Sequence, residues 1–332
     1  MTAARSAILC ALALLLPSAG CTPDSQHLTF TAAGDYGFGP AAEATLALIP
    51  KSNAAFHLAL GDFSYTPDRP PSAWCDFVHA RVGRELPFLL LAGNHEDDFG
   101  GHGHVSEFAS CLPDRIGVTG RYGVEYYFDH RNLARIILLS PDLTIEGKHY
   151  YYGEGNDRLQ WVAAAIDDAR ARQIPWVIVG MHKSCVSIGE YDCRLYADLW
   201  NLLIQKHVDV TLHGHEHSYQ RSKQLATGPG CPAIPLNAFV PACVADDGSD
   251  GTYIKGAGTV SVIAGTAGAD LYAMHADDAE RGYVARWMGR NATPTHGLVR
   301  IRLTPTELSA AFVSSSGSGF DDKFVIAGGG SK

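Results

Sequence analysis

Short apolar runs recur along the first two-thirds of the chain, and each ends at a glycine beside a polar, chemically active side chain. Residues 28–33 run into Gly34-Asp35-Tyr36-Gly37, and residues 54–60 into Gly61-Asp62-Phe63-Ser64-Tyr65. Residues 88–92 run into Gly93-Asn94-His95-Glu96, 176–179 into Gly180-Met181-His182, and 208–212 into His213-Gly214-His215-Glu216-His217. Short apolar runs bounded by turn residues read as buried strands. Helical periodicity appears between them. Residues 40–49 open with a proline, and 72–82 follow the Pro67–Pro71 loop. Residues 156–172 carry Leu159, Val162, Ala163 and Ile166 at helical spacing, with Asn156 suited to cap the amino end. Residues 194–206 repeat the pattern through Leu195, Leu199, Leu202 and Leu203. Residues 124–128 and 133–139 read as adjacent strands.

Strands alternating with helices predict α/β layers. The last third differs. Residues 227–252 are rich in Gly, Pro and Ala and read as an excursion loop, while 260–264, 297–303, 307–313 and 323–326 read as strands of a second sheet packed on the first. There is no internal repeat and no long linker, so residues 28–328 form a single expected domain.

The strand ends concentrate Asp, Asn, Tyr and His, and this is where open α/β sheets bind ligands. Glycine beside each such residue lets the backbone turn and approach a site closely. Each piece alone is ordinary: Gly-Asp pairs make turns, a Tyr near a strand end packs in a core, and a lone His-x-His is a surface pair. Together they supply donors for two metal ions, with a carboxylate able to bridge them. Gly34-Asp35-Tyr36-Gly37-Phe38-Gly39 is spaced GxxGxG, not as the dinucleotide fingerprint GxGxxG. Gly265 to Asp270 follows a strand and is a further candidate to line a cleft.

The ordered set of motifs, from Asp35 to His217, resembles the calcineurin-like metallophosphoesterases. Tyr65, spaced from Asp62, makes it most similar to the purple acid phosphatases. The resemblance implies a four-layer α-β-β-α sandwich of two mixed sheets. It also implies that Asp35, Tyr65 and His217 hold a first metal, that Asn94, His182 and His215 hold a second, and that Asp62 bridges them. The expected ions are Fe(III) plus Fe(II), Zn(II) or Mn(II). His95 resembles the non-ligand histidine that faces substrate and protonates a leaving alkoxide. One departure stands out: the run after the strand-end histidine is His182-Lys183-Ser184-Cys185, without the proline or second histidine often found there. No accessory β-domain is expected before the first motif.

Composition adds the compartment. Residues 1–21 combine Arg5, an apolar run from Ala7 to Leu16 and small residues before Cys21, the pattern of an export signal. Cleavage before Cys21 would leave a lipidated cysteine and a membrane-anchored protein; plain secretion and a retained anchor are the alternatives. Cys10 and Cys21 aside, Cys75, Cys111, Cys185, Cys193, Cys231 and Cys243 remain, an even set that implies disulfides in an exported chain. Neighbour pairing is expected, since Cys185–Cys193 and Cys231–Cys243 close short loops; a thiolate metal site is the alternative. The net charge of −9 does not favour nucleic acid.

The implied activity is a metal-dependent phosphoric ester hydrolase of acid phosphatase type, attacking phosphate monoesters with a metal-bound hydroxide. Phosphodiesters of nucleotides or lipid head groups are the alternative substrates, with the 100–104 and 227–252 loops controlling room for a second ester arm. A non-catalytic surface binding protein is the remaining possibility. Partners are small phosphate esters and, through Cys21, a membrane surface; no protein partner is implied.

Overall fold

The computed structural model describes residues 27–328 except 102, 194 and 318, so the expected 1–21 signal lies outside the described residues. Two mixed sheets form the centre. One has the strand order Thr252–Ile254, Lys323–Ala327, Glu307–Ser314, Gly297–Leu303, Leu28–Ala33, His57–Ala59, Phe88–Leu90, the last three parallel. The other runs Val244–Asp246, Tyr219–Leu225, Thr259–Ala264, Val210–His213, Trp176–Met181, Ala134–Leu139, Glu125–His130, Thr119–Arg121, with Val284–Met288 also paired to Tyr219–Leu225. Thr259–Ala264, Val210–His213, Trp176–Met181 and Ala134–Leu139 are mutually parallel.

Alternation divides each strand between two cores, as side chains on successive positions face opposite ways. Phe30, Leu58, Leu60, Leu89, Ile136, Leu138, Ile178 and Leu212 meet between the sheets. Ala59, Leu90, Ile137, Leu139, Val177 and Val179 face outward into apolar layers shared with the helices. Burial on both faces explains why these strands are nearly all apolar.

The helices Pro40–Leu46, Pro71–Val82 and Val105–Cys111 pack on one another and on the first sheet. Asp157–Ala171 is tied to the second sheet by Arg135, which donates to the Ala165 carbonyl and to Asp168. Ala197–Gln205 lies against the same sheet, Trp200 meeting His213. This is the expected four-layer order. Asn156 caps its helix by accepting from the Arg158 N–H.

Two expectations are corrected. The late strands do not build a sheet of their own. Gly297–Leu303, Glu307–Ser314 and Lys323–Ala327 extend the sheet begun by Leu28–Ala33, whereas Thr259–Ala264 joins the other sheet. The 227–252 segment is not all loop: it contributes Val244–Asp246 to one sheet and begins Thr252–Ile254 of the other. All three neighbour disulfides form, Cys75–Cys111, Cys185–Cys193 and Cys231–Cys243, which leaves none of these thiols for a thiolate metal site.

Candidate metal centre

The carboxyl ends of the two parallel strand sets meet along one edge. Gly34 N–H donates to the Ala264 carbonyl and Ala267 N–H to the Gly34 carbonyl, stitching the two sheets together, while Gly214 N–H donates to the His182 carbonyl within the second sheet. Asp35, Asp62 and His215 all adopt left-handed backbone, with φ of 67°, 53° and 66°. Non-glycine residues reach this region only when the surroundings hold them there. Glycine is needed where the loops touch. A side chain at Gly93 would collide with the Asp62 carboxylate, and one at Gly61 (φ 89°) would come within 2.7 Å of His182 Nδ1.

Every sequence-predicted site residue converges here. Tyr65 Oη lies 3.2 Å from Asp35 Oδ1, 3.3 Å from Asp62 Oδ2 and 3.1 Å from His217 Nε2. His182 Nε2 lies 3.3 Å from Asp62 Oδ1 and 3.1 Å from Asn94 Oδ1. Donor atoms of Asp35, Asp62 and His217 lie within 4.8 Å of one another, as do those of Asp62, His182 and His215. Asp62 belongs to both groups. His95 stands beside them, Nε2 3.7 Å from Asp62 Oδ2, its ring edge-on to Tyr65, and its backbone N–H donates to Asp62 Oδ1.

The donor chemistry fits two metal ions. His182 Nδ1 meets the Leu60 carbonyl at 2.7 Å and His217 Nδ1 meets the Asp270 carbonyl at 2.9 Å. Each contact fixes the tautomer with Nδ1–H donating, so that each Nε2 offers its lone pair to the centre. Burial pushes the Asp62 carboxyl up, but without a metal the pairing with protonated His182, together with His95 beside it, outweighs burial and keeps the group ionised; a bound ion would take the place of the His182 Nε2 proton. Burial, with Asp35 and Asp62 alongside, pushes the Tyr65 phenol well above its ordinary value. Only a strongly Lewis-acidic cation would ionise it.

Two carboxylates that the sequence motifs contain but do not explain hold the loops in place. Glu96 accepts from the N–H groups of Asp62, Phe63 and Gly93 at 2.8, 2.8 and 2.9 Å, locking two motif loops together. Burial and the Asp62 charge push it up to about 8, against the pull of those N–H groups. Glu216 accepts from the N–H groups of Glu190 and Tyr191 at 2.8 and 2.7 Å, and burial pushes it up to about 7. Their position inside polar motifs was the available signal. Tyr272, stacked on His217 at 4.0 Å, lies far from any motif and had none.

Two clefts open beside the centre. One, of about 370 Å³, is lined by Tyr65, His217, Phe38, Gly268, Ala269 and Asp270. The 265–270 segment thus lines a cleft, as anticipated. The other, of about 570 Å³, lies beyond Tyr191 and Tyr272 and reaches Arg290 and His296. The 227–252 segment hydrogen-bonds instead to Asn201, Glu280 and Tyr283.

The calcineurin-like phosphoesterase family model matches residues 28–219, more than half of the chain and all of the converging motifs. The chain belongs to the calcineurin-like phosphoesterases. Within that family it is 29% identical over 230 residues to an uncharacterized protein of Mycobacterium tuberculosis, covering 64% of this chain and 42% of the relative. It is 28% identical over 226 residues to an Fe(3+)-Zn(2+) purple acid phosphatase of Arabidopsis thaliana, covering 61% and 45%. It therefore spans less than half the length of either relative. A purple acid phosphatase from yellow lupin (Lupinus luteus) seeds shares the fold, with a TM-score of 0.69 at 18% identity, covering 92% of this chain and 54% of the lupin chain. The chain thus combines the family's motif order with sequence similarity to purple acid phosphatases.

Proposed function

We propose that this chain is an extracytoplasmic phosphatase that hydrolyses phosphate monoesters with two metal ions. The observation that carries it is the place of Asp62 in both donor groups. Asp35, Tyr65 and His217 would hold one ion, Asn94, His182 and His215 the other, and Asp62 both. When bound, such ions act as Lewis acids toward the phosphoryl oxygens and make water nucleophilic near neutral pH. Tyr65 favours Fe(III) at the first position. The plant relative named for Fe(3+) and Zn(2+) supports that pairing, with Fe(II) or Mn(II) also compatible at the second. His95 sits at the rim with Nε2 turned toward the centre, where it can give its proton to the leaving-group oxygen. The backbone N–H bonds to Asp62 and Asp35 keep both carboxylates aimed inward while substrate binds.

The disulfides support a location outside the cytoplasm. Cys21 remains the proposed anchor, and mass analysis of the amino terminus of the exported protein tests it: an unlipidated start beyond residue 21 removes the anchor.

A second reading, a phosphodiesterase, draws on the cleft beyond Tyr191 and Tyr272, which has room for a second ester arm. Relative turnover of an aryl phosphate and a bis-aryl phosphate separates the two. The central test is metal counting. Asp62→Ala should lose both ions, whereas His95→Ala should keep both and lose turnover by about 10²–10⁴-fold. Full metal occupancy in Asp62→Ala would sink the shared-carboxylate assignment. Failure of the metal-loaded wild type to release phosphate from any ester would leave a non-catalytic binding protein.

A further inference from the structure

The histidines of the centre are not oriented alike. His182 and His217 are fixed by hydrogen bonds from Nδ1 to the carbonyls of Leu60 and Asp270. Among the described residues, neither ring nitrogen of His215 has a hydrogen-bond partner; only its backbone N–H is engaged, by Asp35. What the His215 ring has is a stacked face: Tyr191 lies on it at 4.5 Å between centroids, with planes 22° apart.

Tyr191 is itself held. The Glu216 carboxylate, next in sequence to His215, is buried and accepts from the N–H groups of Glu190 and Tyr191. The Cys185–Cys193 disulfide closes the same loop. Ser187, within that loop, is anchored from the other side, its N–H donating to Glu280. The loop occupies the stretch that directly follows His182.

We infer that Tyr191 is the positioning residue for His215: its stacked ring holds the plane of this imidazole, the orientation that a hydrogen bond sets for His182 and His217. Glu216 and the disulfide are the frame that keeps the ring in place. Groups behind metal-binding histidines typically change metal affinity by about 10–100-fold when removed. The hydroxyl is not needed for stacking, so Tyr191→Phe should preserve the effect and Tyr191→Ala should abolish it. Tyr272 provides a comparison, although its ring also meets Tyr191 edge-on at 5.9 Å. It stacks on His217 at 4.0 Å, but that ring retains its Asp270 hydrogen bond, so Tyr272→Ala should cost less.

The inference rests on the proposed ligand set, and the test separates the two. Metal-free full-length protein is titrated with Zn(II) against a competing chelator, giving two stepwise affinities. His215→Ala identifies the step belonging to the second ion. In Tyr191→Ala that same step should weaken by about tenfold or more while the other holds. Tyr191→Phe should match wild type, and Glu216→Gln should weaken the same step as Tyr191→Ala. If His215→Ala weakens one step but Tyr191→Ala leaves both within about twofold, the ligand set stands and the role of Tyr191 falls. If His215→Ala changes neither step, the ligand set falls and this inference with it. Loss of both steps in Tyr191→Ala, with Tyr191→Phe unaffected, would mean general damage to the site and would overturn the specific pairing with His215.

Discussion

At the scale of single residues, Tyr65 is the most telling side chain. Its oxygen lies within 3.3 Å of donor atoms from three different strand ends. With iron bound as proposed, a phenolate-to-Fe(III) charge-transfer band should colour the oxidised protein, and Tyr65→Phe should lose it. Visible absorbance at known iron content is the measurement; an active, iron-loaded but colourless wild type removes Tyr65 from the iron. His57 makes a different prediction. It is fully buried, between Thr31 at 2.8 Å and the Tyr36 hydroxyl at 2.6 Å, and burial pushes it down from 6.5 to about 3. The fold holds the neutral ring, whereas the unfolded chain takes up a proton below about 6.5. Stability should therefore be intact above that pH and fall as pH drops from about 6.5 toward 3, by about 1.4 kcal/mol per unit. His57→Gln cannot titrate. Its denaturation free energy relative to wild type should rise by about 2–3 kcal/mol between neutral pH and about pH 4.5. A constant difference would refute the neutral buried imidazole.

At the scale of elements, pattern served well where a strand or helix buries apolar residues. It failed at Tyr219–Leu225, whose sequence Tyr-Gln-Arg-Ser-Lys-Gln-Leu looks like a surface loop yet forms an almost wholly buried strand. Most of its polar side chains find partners: Gln220 meets Ser187, Ser218 and the Ile188 N–H, Arg221 meets Asp322, and the Gln224 amide nitrogen donates to the Ile254 carbonyl, while Gln224 Oε1 has no partner among the described residues. No local rule signals such a strand, because its partners lie far away in sequence. The helix Val105–Cys111 was missed for another reason: it is short and follows a Gly- and His-rich turn. Its attachment is covalent, since Cys111 is bonded to Cys75 on the Pro71–Val82 helix. Replacing both cysteines by Ser should lower stability by about 3–4 kcal/mol on the loop-entropy model. Equilibrium unfolding checks this, and a loss well under about 1 kcal/mol would mean that the helix pair holds together through Phe108 and Trp74 packing alone.

At the scale of the whole molecule, the two sheets are joined by a buried charge cluster as well as by their apolar core. Arg221 on one sheet makes contacts of 2.7 and 3.0 Å to both oxygens of Asp322, beside the last strand of the other. Tyr219 donates to the same carboxylate at 2.8 Å, and Tyr253 bonds Arg221. Arg221→Ala should cost about 3 kcal/mol, because it leaves the buried Asp322 carboxylate with only Tyr219 and the longer 3.7 Å contact to Arg286, while the double change Arg221→Met with Asp322→Leu should cost far less. Chemical denaturation of both variants decides; equal losses would show that the charges themselves are not at issue.

The sequence by itself determined the layered α/β class, the main helices, the neighbour disulfides and the roster of side chains that meet at the centre. The class, the helices and the roster follow from local signals, namely apolar runs, helical spacing and glycines at strand ends, while the neighbour pairing of cysteines was an expectation from short loops that the structure bears out. Only the tertiary structure decided which sheet each late strand enters, that Glu96 and Glu216 brace the loops, and that Tyr191 and Tyr272 lie on the histidines. Those outcomes depend on pairings across long stretches of chain. A strand's pattern states how much of it is buried but not beside which strand, and a carboxylate's role depends on which backbone N–H groups the fold brings to it.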